Sequence, residues 1–264
     1  NADGETEIAT EYATIDLMLN DYMALVAGKF LSPIGQFRQN VHPSWINKLP
    51  TAPVGFGHGG AAPLSDLGVQ LRGGIPLSGS MRANYALFTS NGPTLLVDGH
   101  GDEVELEMET EAAASNADGN FVYGGRVGFL PMPALELGLS GALGKVGEAE
   151  GHEVSELAAG EPDRDYTVLG ADAIYNIATL QLRGEFIQQT VGSEANSTVA
   201  DGAAAEEIDF RAWYAQAAYR VPDTKWEGVV RIGDLDTPNA DANRSQWSAG
   251  VNYLFANHVI IKAA

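Results

Sequence analysis

The sequence lacks cysteine altogether, and it is poor in basic residues and in long apolar runs. The absence of cysteine excludes disulfides, thiolate zinc sites and cysteine nucleophiles. With 15 Lys and Arg residues against 35 Asp and Glu residues, the formal charge of -20 argues against a nucleic-acid partner. No run of about eighteen apolar residues is present, which excludes a membrane-spanning helix.

What the sequence does contain is a recurring alternation of apolar and polar residues. This is the pattern of β-strands that have one apolar face. We predict twelve strands, near residues 8–19, 23–33, 66–77, 81–90, 120–130, 134–146, 165–175, 178–191, 207–220, 225–234, 244–254 and 258–264. Residues 203–219 compete as an alanine-rich helix, but the alternation around Trp213 and Tyr214 favours a strand there.

The connections between these strands alternate between short and long. The long ones fall at residues 34–65, 91–119, 147–164, 192–206 and 235–243. A soluble sandwich of Greek keys has no reason to place every long loop at one end, whereas a transmembrane up-and-down barrel does. We therefore predict an all-β fold, a transmembrane antiparallel up-and-down β-barrel that forms a single domain over residues 1–264.

Acidic residues concentrate in the predicted outer segments. Residues 1–7, 91–119, 147–163, 192–206 and 235–243 hold 22 of the 35 acidic residues and no Lys or Arg. This composition is typical of solvated loops, and bridging by divalent cations is the alternative. The 34–65 segment is the exception, because it has no acidic residue and contains Arg38, His42, Lys48 and His58.

Several segments resemble, in the same order, the phosphate-selective porins O and P. They are Gly28-Lys29-Phe30 followed by Pro33-Ile34-Gly35, and residues 11–17, 85–88, 213–216, 226–231 and 250–253. The resemblance implies a Gram-negative outer-membrane porin, a homotrimer with sixteen strands that contacts outer-membrane lipid. The twelve strands would then be the fourth to the fifteenth, so the chain is expected to be incomplete at both ends. The 34–65 segment would be the loop that folds inward and constricts the pore.

A basic pore wall would raise the local concentration of anions. Candidates for lining the pore and attracting anions are Lys29, Arg38, Lys48, Arg72, Arg82, Arg126, Arg183 and Arg231. The alternative for the wall arginines is pairing across strands with Glu136, Asp172, Glu185 or Glu227. The dense run of arginines expected of a strongly phosphate-selective pore is absent, so we predict passive diffusion of small solutes, chiefly anions, with neutral solutes also passing.

No sequence feature indicates catalysis or a cofactor. A Gly-x-Ser-x-Gly motif, a phosphate loop and a dinucleotide fingerprint are all missing, so we predict neither an enzyme nor a bound cofactor. Asp98, His100 and Asp102 are weak candidates for a metal site, and solvated turns are the commoner explanation of such clusters. The alternative function is a structural or surface barrel that acts as a sheath or scaffold for a partner protein.

Overall fold

A computed structural model describes residues 10–43, 45–100, 103–110, 119–150, 163–194, 206–256 and 259–264. In chain order its strands are β1 (Ala13–Asn20), β2 (Met23–Leu31), β3 (Ser65–Pro76), β4 (Arg82–Ser90), β5 (Thr94–His100), β6 (Glu103–Glu109), β7 (Val122–Met132), β8 (Leu135–Val146), β9 (Glu148–Glu150), β10 (Arg164–Ile177), β11 (Leu180–Val191), β12 (Ile208–Arg220), β13 (Trp226–Asp236), β14 (Arg244–Ala256) and β15 (Val259–Ala263). A π-helical turn spans Phe37–Val41, and a 3-10 turn spans Ala240–Ala242. No helix in the described ranges is long and apolar enough to cross a membrane.

Twelve of the described strands form one antiparallel sheet in the order β1-β2-β3-β4-β7-β8-β10-β11-β12-β13-β14-β15. Each strand pairs with the next member of the sheet along the chain, which is an up-and-down meander. All twelve predicted strands are found, including the disputed β12. β1 and β15 are the two edges of this sheet, and none of the described pairs joins them.

Strands β5, β6 and β9 form a second, three-stranded sheet that was not predicted. β5 pairs with β6 in antiparallel register and with β9 in parallel register. These strands lie within segments that were predicted as solvated loops, at residues 91–119 and 147–164. Part of the acidic outer region is therefore ordered sheet.

The two faces of the large sheet differ in polarity as the sequence predicts. One face exposes large apolar side chains, among them Val69, Leu139, Leu143, Leu182, Val230 and Trp247. The opposite face buries polar side chains, among them Gln70, Arg126, Asp172, Glu185, Gln189 and Arg231. An outer face that is apolar and an inner face that is polar are what a lipid-facing sheet requires.

The hydrophobic core lies on the inner face rather than between two layers of sheet. The connection from β2 to β3 covers the inner face and buries Ile34, Phe37, Val41 and Phe56 against it. An apolar outer face that meets lipid cannot also form a core, so the chain builds its core by folding a loop inward. This loop contains the candidate site.

Candidate functional site

The candidate site is the 34–65 segment, called the inner loop from here on, together with the inner-face residues that hold it. The backbone N–H of Ser32 donates to the carbonyl of Leu64 at 3.1 Å, which brings the two ends of the loop together. Between these ends the loop crosses the inner face and contacts β8, β11, β12, β13 and β14.

The first part of the inner loop is held by the carboxylate of Glu185 on β11. The carboxylate accepts hydrogen bonds from the backbone N–H groups of Gln36, at 3.2 Å, and Phe37, at 3.0 Å. Gly35 precedes them with a φ of +71°, and a Cβ at that position would lie 1.7 Å from Oε1 of Glu185. Glycine is therefore required both by the backbone conformation and by the approach of the carboxylate.

The middle of the inner loop is held by the guanidinium of Arg231 on β13. Arg231 donates to the carbonyl of Thr51 at 3.1 Å, to its Oγ1 at 3.0 Å and to the carbonyl of Ala52 at 2.9 Å. Beside this contact, Nζ of Lys48 lies 2.7 Å from the Glu227 carboxylate. Arg231 is 1 % exposed, and both of its Nη groups bind Thr51 or Ala52 of the loop, while its Nε has no hydrogen-bond partner among the described residues.

Neutral amides complete the attachment. Gln189 donates to the carbonyl of Ala61 at 2.6 Å, and Asn252 donates to the carbonyl of Lys48 at 2.9 Å. The side-chain oxygen of Gln246 accepts from the backbone N–H of Val54 at 3.0 Å. Because buried backbone groups must be paired, these wall residues determine where the loop can lie.

Aromatic side chains also hold the inner loop against the inner face of the sheet. Phe37 and Phe56 of the inner loop meet Tyr214 of β12 at ring-centroid distances of 6.2 and 5.0 Å, both edge to face. The two phenylalanine rings are 6.1 Å apart. Edge-to-face clusters of this kind add to the burial energy of the rings, so the loop is attached by packing as well as by hydrogen bonds.

A charged network lies next to the loop on β7, β8 and β10. Arg126 donates to both oxygens of Asp172, at 2.8 and 2.6 Å, and its Nη2 lies 3.0 Å from the Glu136 carboxylate. Asn84 accepts from Arg126 and donates to Glu136, at 3.0 Å in both cases. Arg126 is therefore paired across strands, which was the alternative that the sequence left open for the wall arginines.

His42 ends the π-helical turn of the inner loop, where its Nε2 lies 3.6 Å from a carboxylate oxygen of Glu11. Burial lowers the pKa of His42 below its ordinary value, and the positive charge of Arg38 lowers it further, while Glu11 acts in the opposite direction. The lowered pKa favours the neutral imidazole, so His42 adds little positive charge to the loop at pH 7.

The comparisons with known proteins agree with this geometry. Residues 140–264 match the family model of the phosphate-selective porins O and P. The match covers 125 of the 264 residues, so this part of the chain is similar to that porin family. The anion-selective porin from Comamonas acidovorans is similar in structure, with a TM-score of 0.57 at 15 % sequence identity. That likeness covers 93 % of this chain and 63 % of the solved porin, so the chain spans less than two thirds of that porin's length.

The comparison with curated proteins found no match. The family match and the structural likeness confirm the resemblance that the sequence motifs suggested, and they indicate the bacterial outer membrane as the location. Both of these comparisons are with porins, which are channel proteins.

The large sheet and the inner loop place the eight predicted pore-lining cations in three environments. Arg38, Arg126 and Arg231 are almost fully buried, and Lys48 is paired with Glu227. Arg72, Arg82 and Arg183 lie on the inner face with part of each side chain exposed, and Arg72 is 2.6 Å from Asp16. Lys29 is in register with Leu67 and shares the outward face, which argues against a pore-lining position for this residue.

The weak metal candidates fall at the edge of what the structure describes. Asp98 and His100 belong to β5, and Asp102 lies outside the described residues. Within the described part of the chain, no group of three or more His, Asp or Glu side chains could hold a metal ion.

Sequence reasoning named Arg231 and Lys48 as pore-lining candidates, but it missed that they attach the inner loop and missed the other residues that do so. Glu185 was considered a partner of wall arginines, and Gln189, Gln246 and Asn252 were not singled out. Their signal was present, since all are polar residues at inward positions of alternating strands. What they bind could not be predicted, because Glu185 and Phe37 are 148 residues apart in the chain.

Proposed function

We propose that this chain forms the wall and the constriction of a water-filled outer-membrane channel through which small solutes, chiefly anions, diffuse passively. The observation that supports it most is the attachment of the inner loop across the polar inner face, while the opposite face stays apolar. In the channel that we propose, a loop held in this way would narrow the interior and form its constriction. By the family resemblance, the working form is a homotrimer in contact with outer-membrane lipid.

Anion preference would come from the charges that remain accessible at the inner face. Arg82 and Arg183 are partly exposed there. Each would attract a passing anion more strongly than in bulk water, because the effective dielectric of a narrow pore is lower. The buried cations Arg126 and Arg231 contribute less, because their charge is compensated by carboxylates or committed to carbonyls. The inner loop adds no carboxylate that would oppose anions.

Ion selectivity in a planar bilayer tests this function directly. The full-length protein is inserted under a salt gradient, and the reversal potential is measured from the current–voltage relation. We expect ohmic current steps and a reversal potential on the anion side of zero. Bilayers that remain silent although the inserted protein is folded would contradict the channel and would favour a sheath or scaffold barrel.

Charge neutralisation tests which residues carry the selectivity. Replacing Arg82 and Arg183 by Gln should move the reversal potential toward the cation side, since both lie on the inner face. Lys29→Gln is the matched control, because Lys29 carries the same charge on the outward face. Equal shifts in the control and in the double variant would contradict an electrostatic role for the inner-face cations.

A further inference from the structure

A cleft of about 580 Å³ lies on the inner face beside the inner loop and is not explained by anion passage. It is bounded by the first turn of the loop, by β1, β2, β3 and β4, and by Arg126 of β7 and Glu136 of β8. Its volume is within the range of about 300–1,000 Å³ that is usual for clefts that hold small organic ligands.

The polar lining of the cleft is rich in amides and has no net charge. The loop contributes Gln36, Gln39 and Asn40, and the sheet contributes Asn84. A primary amide offers both donors and an acceptor, which matches a hydroxyl group that also does both.

The formal charges on the cleft wall cancel. They comprise two cations, Arg72 and Arg126, and two anions, Asp21 and Glu136. Arg126 is already 3.0 Å from Glu136, and Arg72 is 2.6 Å from Asp16. A free anion or cation therefore gains little electrostatic binding energy from this wall, and a neutral polar molecule is not at a disadvantage to it.

One donor in the lining has no acceptor. Gln36 is 4 % exposed, and its Nε2 has no hydrogen-bond partner among the described residues. Its backbone is fixed by Glu185, so the amide is held at the cleft rather than free to move away. A buried donor without an acceptor is costly unless something that binds there supplies one. Behind it, Nε2 of Gln70 is also buried without a partner in the described part of the chain.

We propose that this cleft binds a neutral polyhydroxylated solute, of the chemical class of sugars, during its passage through the channel. The amides of Gln36 and Gln39 would bind its hydroxyl groups. This inference rests on the proposed channel function and adds a subsite with a preference that differs from that for anions.

Block of the ionic current by maltose tests the subsite. With the channel conducting in symmetric salt, maltose is titrated in, and its half-blocking concentration is read from the current. We expect concentration-dependent block of the native channel and about fivefold weaker block in Gln36→Met, the effect of losing one hydrogen bond. Gln188→Met is the control, since Gln188 contacts Asp209 away from the cleft.

Gln39→Met provides a second variant in case Gln36→Met does not insert, because Gln39 is only half-buried. It too should weaken the block by maltose. A channel that conducts but is not blocked by maltose would overturn the inference and leave the channel function intact. The same holds if phosphate competes with maltose for the block, or if both cleft variants behave like the control. A protein that never conducts would instead refute the proposed function.

Discussion

Replacement of Arg231 by Met should detach the middle of the inner loop. The substitution removes the donors to Thr51 and Ala52 but keeps an apolar side chain of similar length. Two buried carbonyls would lose their partner, at about 1–3 kcal/mol each. The guanidinium no longer has to be desolvated, which offsets part of that loss. We expect a net decrease of about 2–4 kcal/mol in the free energy of unfolding.

Two companion variants separate the charge of Arg231 from its geometry. Arg231→Lys keeps the charge but replaces the planar fork by a single ammonium, so it should also destabilise the loop. Arg183→Met removes a cation two strands away at the same level of the wall. Gln216 on the strand between them is the register partner of both Arg183 and Arg231. Arg183 has a weak contact of 3.4 Å to Gln181, so its loss should change stability by about 0.5 kcal/mol or less.

Thermal unfolding of the detergent-solubilised protein, followed by circular dichroism, measures the stability of each variant. Single-channel recording adds the open-channel noise, which should rise in Arg231→Met because a loosened loop moves within the pore. Arg183→Met should instead shift the reversal potential at native noise. An unchanged melting temperature and unchanged noise in Arg231→Met, or equal destabilisation by Arg183→Met, would refute the anchoring of the loop by Arg231.

Two further predictions concern other contacts of the loops. Gly35→Ala should lower the free energy of unfolding by about 1–3 kcal/mol, because its Cβ would displace the Glu185 carboxylate; a native melting temperature would contradict this. Asn239→Ala should release β6, because the Asn239 side chain accepts a hydrogen bond from the backbone N–H of Leu106 at 3.2 Å and donates one to its carbonyl at 2.8 Å. Limited proteolysis should then cleave the variant at a lower protease concentration than the native protein. An unchanged cleavage pattern would contradict this.

The large sheet could be predicted from the sequence because one physical constraint acts on every strand. A strand that faces lipid on one side and the interior on the other must alternate, and the alternation alone placed all twelve strands. The small sheet was missed for a related reason. β6 reads Glu-Val-Glu-Leu-Glu-Met-Glu, which also alternates, but its four glutamates were interpreted as the charge of a solvated loop. The interpretation of this segment followed its charge, whereas its alternation of polar and apolar residues predicted the strand correctly.

The environment of each predicted cation could not be predicted, because it depends on contacts between distant segments. Arg126 and Arg231 both occupy inward positions of alternating strands. Arg126 meets the carboxylates of Asp172 and Glu136, while Arg231 meets loop carbonyls from a segment 179 to 180 residues away. Period two assigns the face of a residue, but only the path of the inner loop decides whether its charge remains available.

The absence of carboxylates from the inner loop has a structural cause as well as a consequence for the proposed permeation. The wall already places buried carboxylates under the loop, at Glu185 and Glu227. The loop meets them with backbone N–H groups and with Lys48. A carboxylate on the loop at these points would set two like charges together away from water, at a high electrostatic cost. The complementarity that holds the loop thus also keeps negative charge off the loop, as the proposed anion preference requires.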